Sequence, residues 1–399
     1  MYKYNIREES FGATILNLET GNREYISKEE LNKVLTERTL PSDISTGEKI
    51  CLSDVKYTKT NKDVNHFSFA DICYLEVTRA CNLQCIHCLN NSGKKLDNQL
   101  TDEELIKLVI DLSKCGIQEI RFTGGEPLVY DKIYDLINIA TINGVYTSIG
   151  TNGTLITKEV AKRLKNAGLK KAVVSIDGTK EKHDEIRGKG NYERSIQGIK
   201  NLNEVGIETR VNSVIMKNNM DDIINFAKTM HEKKQSLMIR RFIESGRGKN
   251  LIDNTLSKED YNYVKEQLSK ELSEANYING HYLREKTERI SNRIDIPFDI
   301  SNGCKAGMRA IIITPDANIH LCGFLAAQGF TPVGNVRNVN DWKHFWHETS
   351  IKDCLSYLRK KLEDYNKMPN IQETNCLAYV KNYIYLYLML KYHLIQQRR

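Results

Sequence analysis

The chain has 399 residues, 40% hydrophobic and 27% charged, with only 6 prolines. This is the composition of a globular protein long enough for two domains, or for one large α/β barrel with appendages. The net charge of +7 comes from 58 basic and 51 acidic residues with no concentrated basic tract, which argues against a nucleic-acid partner. No apolar run follows Met1, so a secretory signal is not expected and the expected location is the cytoplasm. The apolar run Tyr383–Leu390 is bracketed by Lys381 and Lys391 too closely for a bilayer span of roughly 20 residues, and reads as a buried or docking helix.

In chain order, Ala13–Leu18 and Arg23–Ile26 read as a hairpin through Thr20-Gly21-Asn22. Ser27 and Glu30 make a capping box for a short helix ending near Leu35. From Pro41 to about Phe69 the chain is polar and aperiodic, a connecting segment. From Tyr74 a repeat begins in which short apolar runs precede helical patterns. The runs are Tyr74–Val77, Glu119–Phe122, Tyr146–Ile149, Ala172–Ile176, Thr209–Val214 and Leu237–Ile239. Between them lie the amphipathic stretches Leu105–Leu112, Ile133–Ile142, Val160–Ala167, Ile196–Val205 and Ile223–Met230. Such alternation means a parallel sheet with right-handed crossovers. The six units stop short of the eight of a closed TIM barrel.

The chemically unusual residues all follow a predicted strand. Cys81, Cys85 and Cys88 follow the first, Gly124-Gly125-Glu126-Pro127 the second and Thr151-Asn152-Gly153 the third; Ser175 and Asp177 close the fourth. The C-terminal ends of parallel strands form the active-site face of βα architectures, so these residues are expected to share one pocket. After Leu256 the repeat stops. Ser257–Leu272 reads as a capped helix, Ile311–Thr314 with Asn318–Leu321 as a second hairpin, and Asp341–Trp346 and Ile351–Leu362 as helices. These observations divide the chain into residues 1–70, 71–256 and 257–399.

Ten cysteines without an export signal point to thiolate–metal chemistry rather than a disulfide framework. Three of them, spaced x3 and x2 in one loop, supply three thiolates to an iron–sulfur cluster and leave one iron without a protein ligand. The rival is structural zinc, which wants four donors in a closed tetrahedron and could recruit His87. On spacing alone both readings stand. Cys51, Cys73 and Cys115 read as ordinary buried or half-buried residues.

The segment Thr78–Cys88, Thr-Arg-Ala-Cys-Asn-Leu-Gln-Cys-Ile-His-Cys, followed by Gly-Gly-Glu-Pro at the next strand end, resembles the radical S-adenosylmethionine (SAM) superfamily. The resemblance runs from about Ile72 to Arg241 and implies an α/β fold, a partial (β/α)6 TIM-like barrel. It implies that Cys81, Cys85 and Cys88 hold a 4Fe-4S cluster whose open iron binds the methionine portion of SAM. It implies that Gly124, Gly125 and Glu126 meet the methionine ammonium, and that Ser175 and Asp177 contact the ribose and carboxylate. Arg187 or Arg194 would hold the methionine carboxylate. His87, at a position often aromatic in the family, would pack near adenine. A low-potential donor such as flavodoxin or ferredoxin would supply electrons.

Cys304-Lys-Ala-Gly307, then Ile311-Ile-Ile-Thr-Pro-Asp and His320-Leu-Cys322, resemble the opening of SPASM and twitch domains, which hold auxiliary clusters. That resemblance implies a small C-terminal α+β domain with one auxiliary 4Fe-4S cluster, its ligands drawn from Cys304, Cys322 and Cys376, with Cys354 as a further candidate. Enzymes with such extensions mostly modify ribosomally made peptides, and Arg240–Gly248 resembles that subset. The expected substrate is a precursor peptide, ending in a thioether or carbon–carbon crosslink or an epimerised residue. The N-terminal hairpin and helix resemble part of a peptide-recognition element. The alternatives are a small-molecule radical oxidase or dehydrogenase and, outside enzymes, a zinc-stabilised binding module.

Overall fold

The computed structural model describes residues 1–40, 49–60, 66–272, 278–280, 307 and 309–347. Cys304, Cys354, Cys376, the Ile351–Leu362 pattern and the Tyr383–Leu390 run lie outside the described residues. Among those described, no helix is long and apolar enough to cross a membrane.

The chain begins with β1 (Tyr4–Glu9), β2 (Gly12–Asn17), β3 (Arg23–Ser27), α1 (Lys28–Glu37) and β4 (Val55–Thr58). They form a four-stranded sheet of order β3-β2-β1-β4, with β4 parallel to β1. The predicted hairpin is β2–β3, and the predicted capping box starts α1: the Glu30 amide donates to Ser27 Oγ and the Ser27 amide to the Glu30 carboxylate. Neither β1 nor β4 was legible in the sequence. β1 buries Asn5, Arg7 and Glu9, polar residues that hide the apolar alternation of an ordinary strand. Distant groups satisfy them: Asn5 donates to the Ile117 and Gly144 carbonyls, and Arg7 pairs with Glu9 and Asp71. β4 interrupts the segment read as a connection.

The repeat is present as expected. It comprises β5 (Ile72–Thr78), α2 (Asp102–Lys114), β6 (Glu119–Gly124), α3 (Ile133–Ile142), β7 (Tyr146–Thr151), α4 (Lys158–Ala167), β8 (Lys171–Ser175), α5 (Lys180–Arg187), α6 (Asn191–Glu204), β9 (Glu208–Ile215), α7 (Met220–Glu232) and β10 (Leu237–Arg241). Neighbouring strands from β5 to β10 all pair in parallel. On each strand alternate residues, such as Leu75, Phe122, Ile149, Val174, Val211 and Ile239, join the helices in the main core. The others face the inner side of the half-barrel. α5 was not anticipated: its sequence Lys-Glu-Lys-His-Asp-Glu-Ile-Arg buries only His183 and Ile186.

Beyond β10 come α8 (Lys258–Leu272), β11 (Ile278–Gly280), β12 (Ala310–Ile313), β13 (Asn318–His320), α9 (Gly323–Ala327), β14 (Gly334–Asn335) and α10 (Trp342–His347). The second predicted hairpin is β12–β13. It does not stand apart from the barrel: β12 lies parallel to β5, so one sheet runs β11-β10-β9-β8-β7-β6-β5-β12-β13-β14. The N-terminal sheet docks where the barrel strands begin, through Asp71, Ile117, Gln118 and Gly144. The strand ends that carry the cysteines lie opposite, leaving that face to the loops.

Candidate active site

Cys81, Cys85 and Cys88 occupy the loop after β5. Cys85 is buried, and Cys81 and Cys88 are half-buried. Two sulfurs accept backbone N–H groups, Cys81 from Leu83 and Cys88 from Ser92, both at 3.4 Å. The Arg187 guanidinium stands 3.9 Å from the Cys85 sulfur. Burial, with Glu126 nearby, pushes the Cys81 thiol up to about 11; coordinated iron would reverse that, because metal charge deprotonates a thiol outright. Three thiols on one loop, with N–H donors and a cation directed at sulfur, fit an iron–sulfur cluster. Among the described residues, no group of three or more His, Cys, Asp and Glu side chains is gathered tightly enough for a single ion.

The end of β6 packs directly on this loop. The Gly125 amide donates to the Thr78 carbonyl at 2.7 Å and the Glu126 amide to the Ala80 carbonyl at 2.9 Å. A Cβ on Gly124 would meet the Thr78 oxygen at 2.3 Å, and one on Gly125 the Ala80 oxygen at 2.1 Å. Gly124 also sits at φ +142°, a region that side chains rarely adopt. Both glycines are therefore required by the approach of backbone to backbone, whatever ligand they also face.

Glu126 is fully buried. Its carboxylate accepts from the hydroxyl of Thr151 at 2.7 Å and the amides of Asn152 at 2.7 Å and Leu128 at 3.2 Å. Burial still outweighs these bonds and pushes the carboxyl up to about 7. Asn152 also donates to Asn82 within the cysteine loop, at 2.8 Å. The predicted motifs after the first three strands thus come together.

Asp177, just past β8, is fully buried and accepts from three groups: His87 Nε2 at 2.8 Å, Arg187 Nε at 2.6 Å and the Val214 amide at 2.8 Å. Burial would raise its pKa, but Arg187 and His87 hold it well below the usual carboxylate range. His87 Nδ1 is buried with no hydrogen-bond partner among the described residues. Of the two candidate arginines, Arg187 is in the site. Arg194 is exposed on α6 and among the described residues reaches only Asn191, at 3.3 Å. Ser175 is half-buried at the end of β8, on the inner face.

Sequence reading missed two neighbours. His183 Nδ1 accepts from the Asp177 amide at 3.2 Å, and burial lowers its pKa to about 4, so it is neutral. Arg247 donates from Nε to the Cys85 carbonyl at 2.8 Å and from NH1 to the Ser92 carbonyl at 2.6 Å. Gly246, at φ +55°, lies so close that a Cβ would meet the Cys88 oxygen at 2.3 Å. The sequence signal was there, in Gly246-Arg247-Gly248 just beyond a strand. Of the remaining cysteines, Cys73 is buried and Cys115 half-buried as expected, but Cys51 is exposed, beside Ser53 before a short turn. Cys322 is half-buried at the start of α9, and the other end of that helix accepts from the Ser245 hydroxyl, next to the Arg247 loop.

A family model described as the Radical SAM superfamily matches residues 75–230. The Fe-coproporphyrin III synthase of Methanosarcina barkeri is 30% identical over 295 residues, 69% of this chain and 73% of that protein. Mycofactocin maturase MftC of Mycolicibacterium smegmatis is 28% identical over 296 residues, 71% of each chain. Streptococcus suis SuiB, solved bound to precursor peptide SuiA, is similar in fold, with a TM-score of 0.67 at 18% identity over 89% of this chain and 92% of that one. The chain belongs to the radical SAM superfamily, enzymes that pair a 4Fe-4S cluster with S-adenosylmethionine.

Proposed function

We propose that this enzyme modifies a ribosomally made precursor peptide, forming a thioether or carbon–carbon crosslink or epimerising a residue. The observation that carries the chemistry is one loop presenting Cys81, Cys85 and Cys88 beside the buried Glu126 and the His87–Asp177–Arg187 bracket. When bound, the cluster and SAM supply an electron and a 5′-deoxyadenosyl radical that takes hydrogen from substrate. The residues of the chain bind and orient. Cys81, Cys85 and Cys88 would hold the cluster, leaving one iron open to SAM. Glu126, with Gly124 and Gly125, would receive the methionine ammonium, Arg187 the methionine carboxylate and Ser175 the ribose, with His87 near adenine. Asp177 stands behind His87 and Arg187 as a positioning residue, its one Oδ2 accepting from both.

The peptide reading draws support from similarity to a named maturase and from a fold shared with a protein solved on its precursor peptide. Within it, residues 1–70 form an N-terminal recognition element, 71–256 the radical barrel and 257–399 a twitch-like region. That region carries one auxiliary 4Fe-4S cluster on Cys304, Cys322 and Cys376, with Cys354 as the further candidate. Flavodoxin or ferredoxin supplies the electrons. Similarity to Fe-coproporphyrin III synthase favours a second reading, a small-molecule radical oxidase. Anaerobic co-expression with short peptides encoded beside the gene separates the two. A crosslink removes two hydrogens, and epimerisation in deuterated water leaves one deuterium. SAM cleavage with every such peptide unchanged would favour the small-molecule reading.

A further inference from the structure

Two arginines of this protein, one buried and one half-buried, are treated in opposite ways. Arg7 is buried and saturated: Glu9, Asp71 and the Ala70 and Gly116 carbonyls all accept from it. Arg210, on β9, is not. Among the described residues its buried Nε has no hydrogen-bond partner, and no carboxylate lies within ion-pair distance. A buried guanidinium nitrogen without an acceptor is costly, so a structural arginine is normally paired as Arg7 is; Arg210 has its Nε turned from water while the residue stays half-buried and partly open.

The strand pattern shows where Arg210 points. Val211 and Ile215 of β9 pack among the helices, as do Ile120 and Phe122 of β6 and Leu237 and Ile239 of β10. By alternation Arg121, Arg210 and Arg240 all face the inner side of the half-barrel. Arg121 is fixed by Ser148 at 3.0 Å and Glu119 at 2.8 Å, and lies 5.2 Å over the Tyr74 ring. Arg240 donates to Asn212 at 2.7 Å. Asn212 is the register partner of Ser175, so this wall meets the strand ends of the SAM site. Burial first, then Arg121 and Arg240, lower the Arg210 pKa to about 10, which still leaves it cationic at neutral pH.

We propose that Arg210, flanked by Arg121 and Arg240, binds a carboxylate of the substrate on the inner face of the half-barrel. A guanidinium fork matches a carboxylate in shape and charge. The proposal rests on the peptide reading only for the source of that carboxylate, an acidic side chain.

The test uses the full chain, anaerobically reconstituted and SAM-loaded, at fixed ionic strength. Ligand-observed NMR compares acetyl-Gly-Glu-Gly-amide, acetyl-Gly-Gln-Gly-amide and glutarate. The Glu peptide is expected to bind roughly tenfold tighter than its Gln counterpart. Arg210→Gln removes the preference, and Arg210→Lys keeps part of it. Glutarate binding that depends on Arg210, with no preference between the peptides, would keep the anion site and count against the peptide source. Equal peptide affinities with no glutarate binding would overturn the site, as would a Glu preference untouched in a folded Arg210→Gln protein. The wild-type comparison needs no variant, so poor folding of a mutant cannot shelter the proposal.

Discussion

Arg247, in the loop after the last barrel strand, donates to the main-chain carbonyl of Cys85 at 2.8 Å. The same guanidinium reaches the Ser92 carbonyl, and the Arg247 amide donates to the Cys88 carbonyl at 3.0 Å. The two ends of the half-barrel are therefore tied across the cysteine loop. Hydrogen bonds from a charged donor contribute roughly 1.5–3 kcal/mol each. Arg247→Ala should lower iron content and speed loss of visible absorption under chelator, while the fold by circular dichroism is kept. Iron retained at the wild-type level and rate would show that the tie is not needed.

Glu126 gives a prediction with a pH signature. Burial raises its carboxyl to about 7, and only the ionised form accepts strongly from an ammonium. SAM affinity should therefore rise between pH 6 and pH 8, as the carboxyl loses its proton. Glu126→Gln should bind SAM roughly tenfold more weakly at pH 8 and show a flatter profile, with cluster iron unchanged. Parallel pH profiles for the two proteins, by calorimetry, would remove Glu126 from the ammonium site.

Asp71 joins three parts of the chain. It accepts from Arg7 at 2.8 Å and Arg309 at 2.6 Å, with Arg23 at 3.9 Å, and it is almost wholly buried. Burial would raise its pKa, but Arg23, Arg309 and Arg7 depress it below the carboxylate range. Removing one partner of a buried ion pair typically costs about 3–5 kcal/mol. Asp71→Asn should destabilise by that order in denaturant titration and expose the N-terminal sheet to protease. Because the folded pKa is depressed, the contribution of Asp71 is present above the unfolded carboxyl value near 3.9 and fades below it as acid protonates the group. A cost under about 1 kcal/mol would mean the arginines find other acceptors.

The proposed auxiliary cluster predicts a count. Wild type reconstituted with iron and sulfide should carry roughly eight irons, two four-iron cubes. A Cys304→Ala, Cys322→Ala double variant should carry about half, still form 5′-deoxyadenosine and yield no modified peptide. Only four irons in fully reconstituted wild type would leave these cysteines without that role.

The barrel was legible because β5 to β10 keep apolar residues on the helix-facing side and the helices between them are amphipathic. Ser27 and Ser257 also capped their helices as read. What failed was local in sequence but tertiary in cause. β1 looks polar because its buried Arg7 and Asn5 are answered by residues far along the chain. At the site, the motif residues announced themselves, while their supports did not. Nothing in the sequence distinguished Arg187 from Arg194, since the choice depends on which one α5 turns toward Asp177 and Cys85. Nor could spacing show that Gly124 and Gly125 abut the backbone of Thr78 and Ala80.

The central claim is that Cys81, Cys85 and Cys88 hold the cluster that cleaves SAM. Replacing all three by Ala and assaying 5′-deoxyadenosine from the reduced, reconstituted protein tests it most directly. The account predicts no 5′-deoxyadenosine above background, while wild type treated identically forms it. Production at the wild-type rate in the triple variant would contradict the assignment.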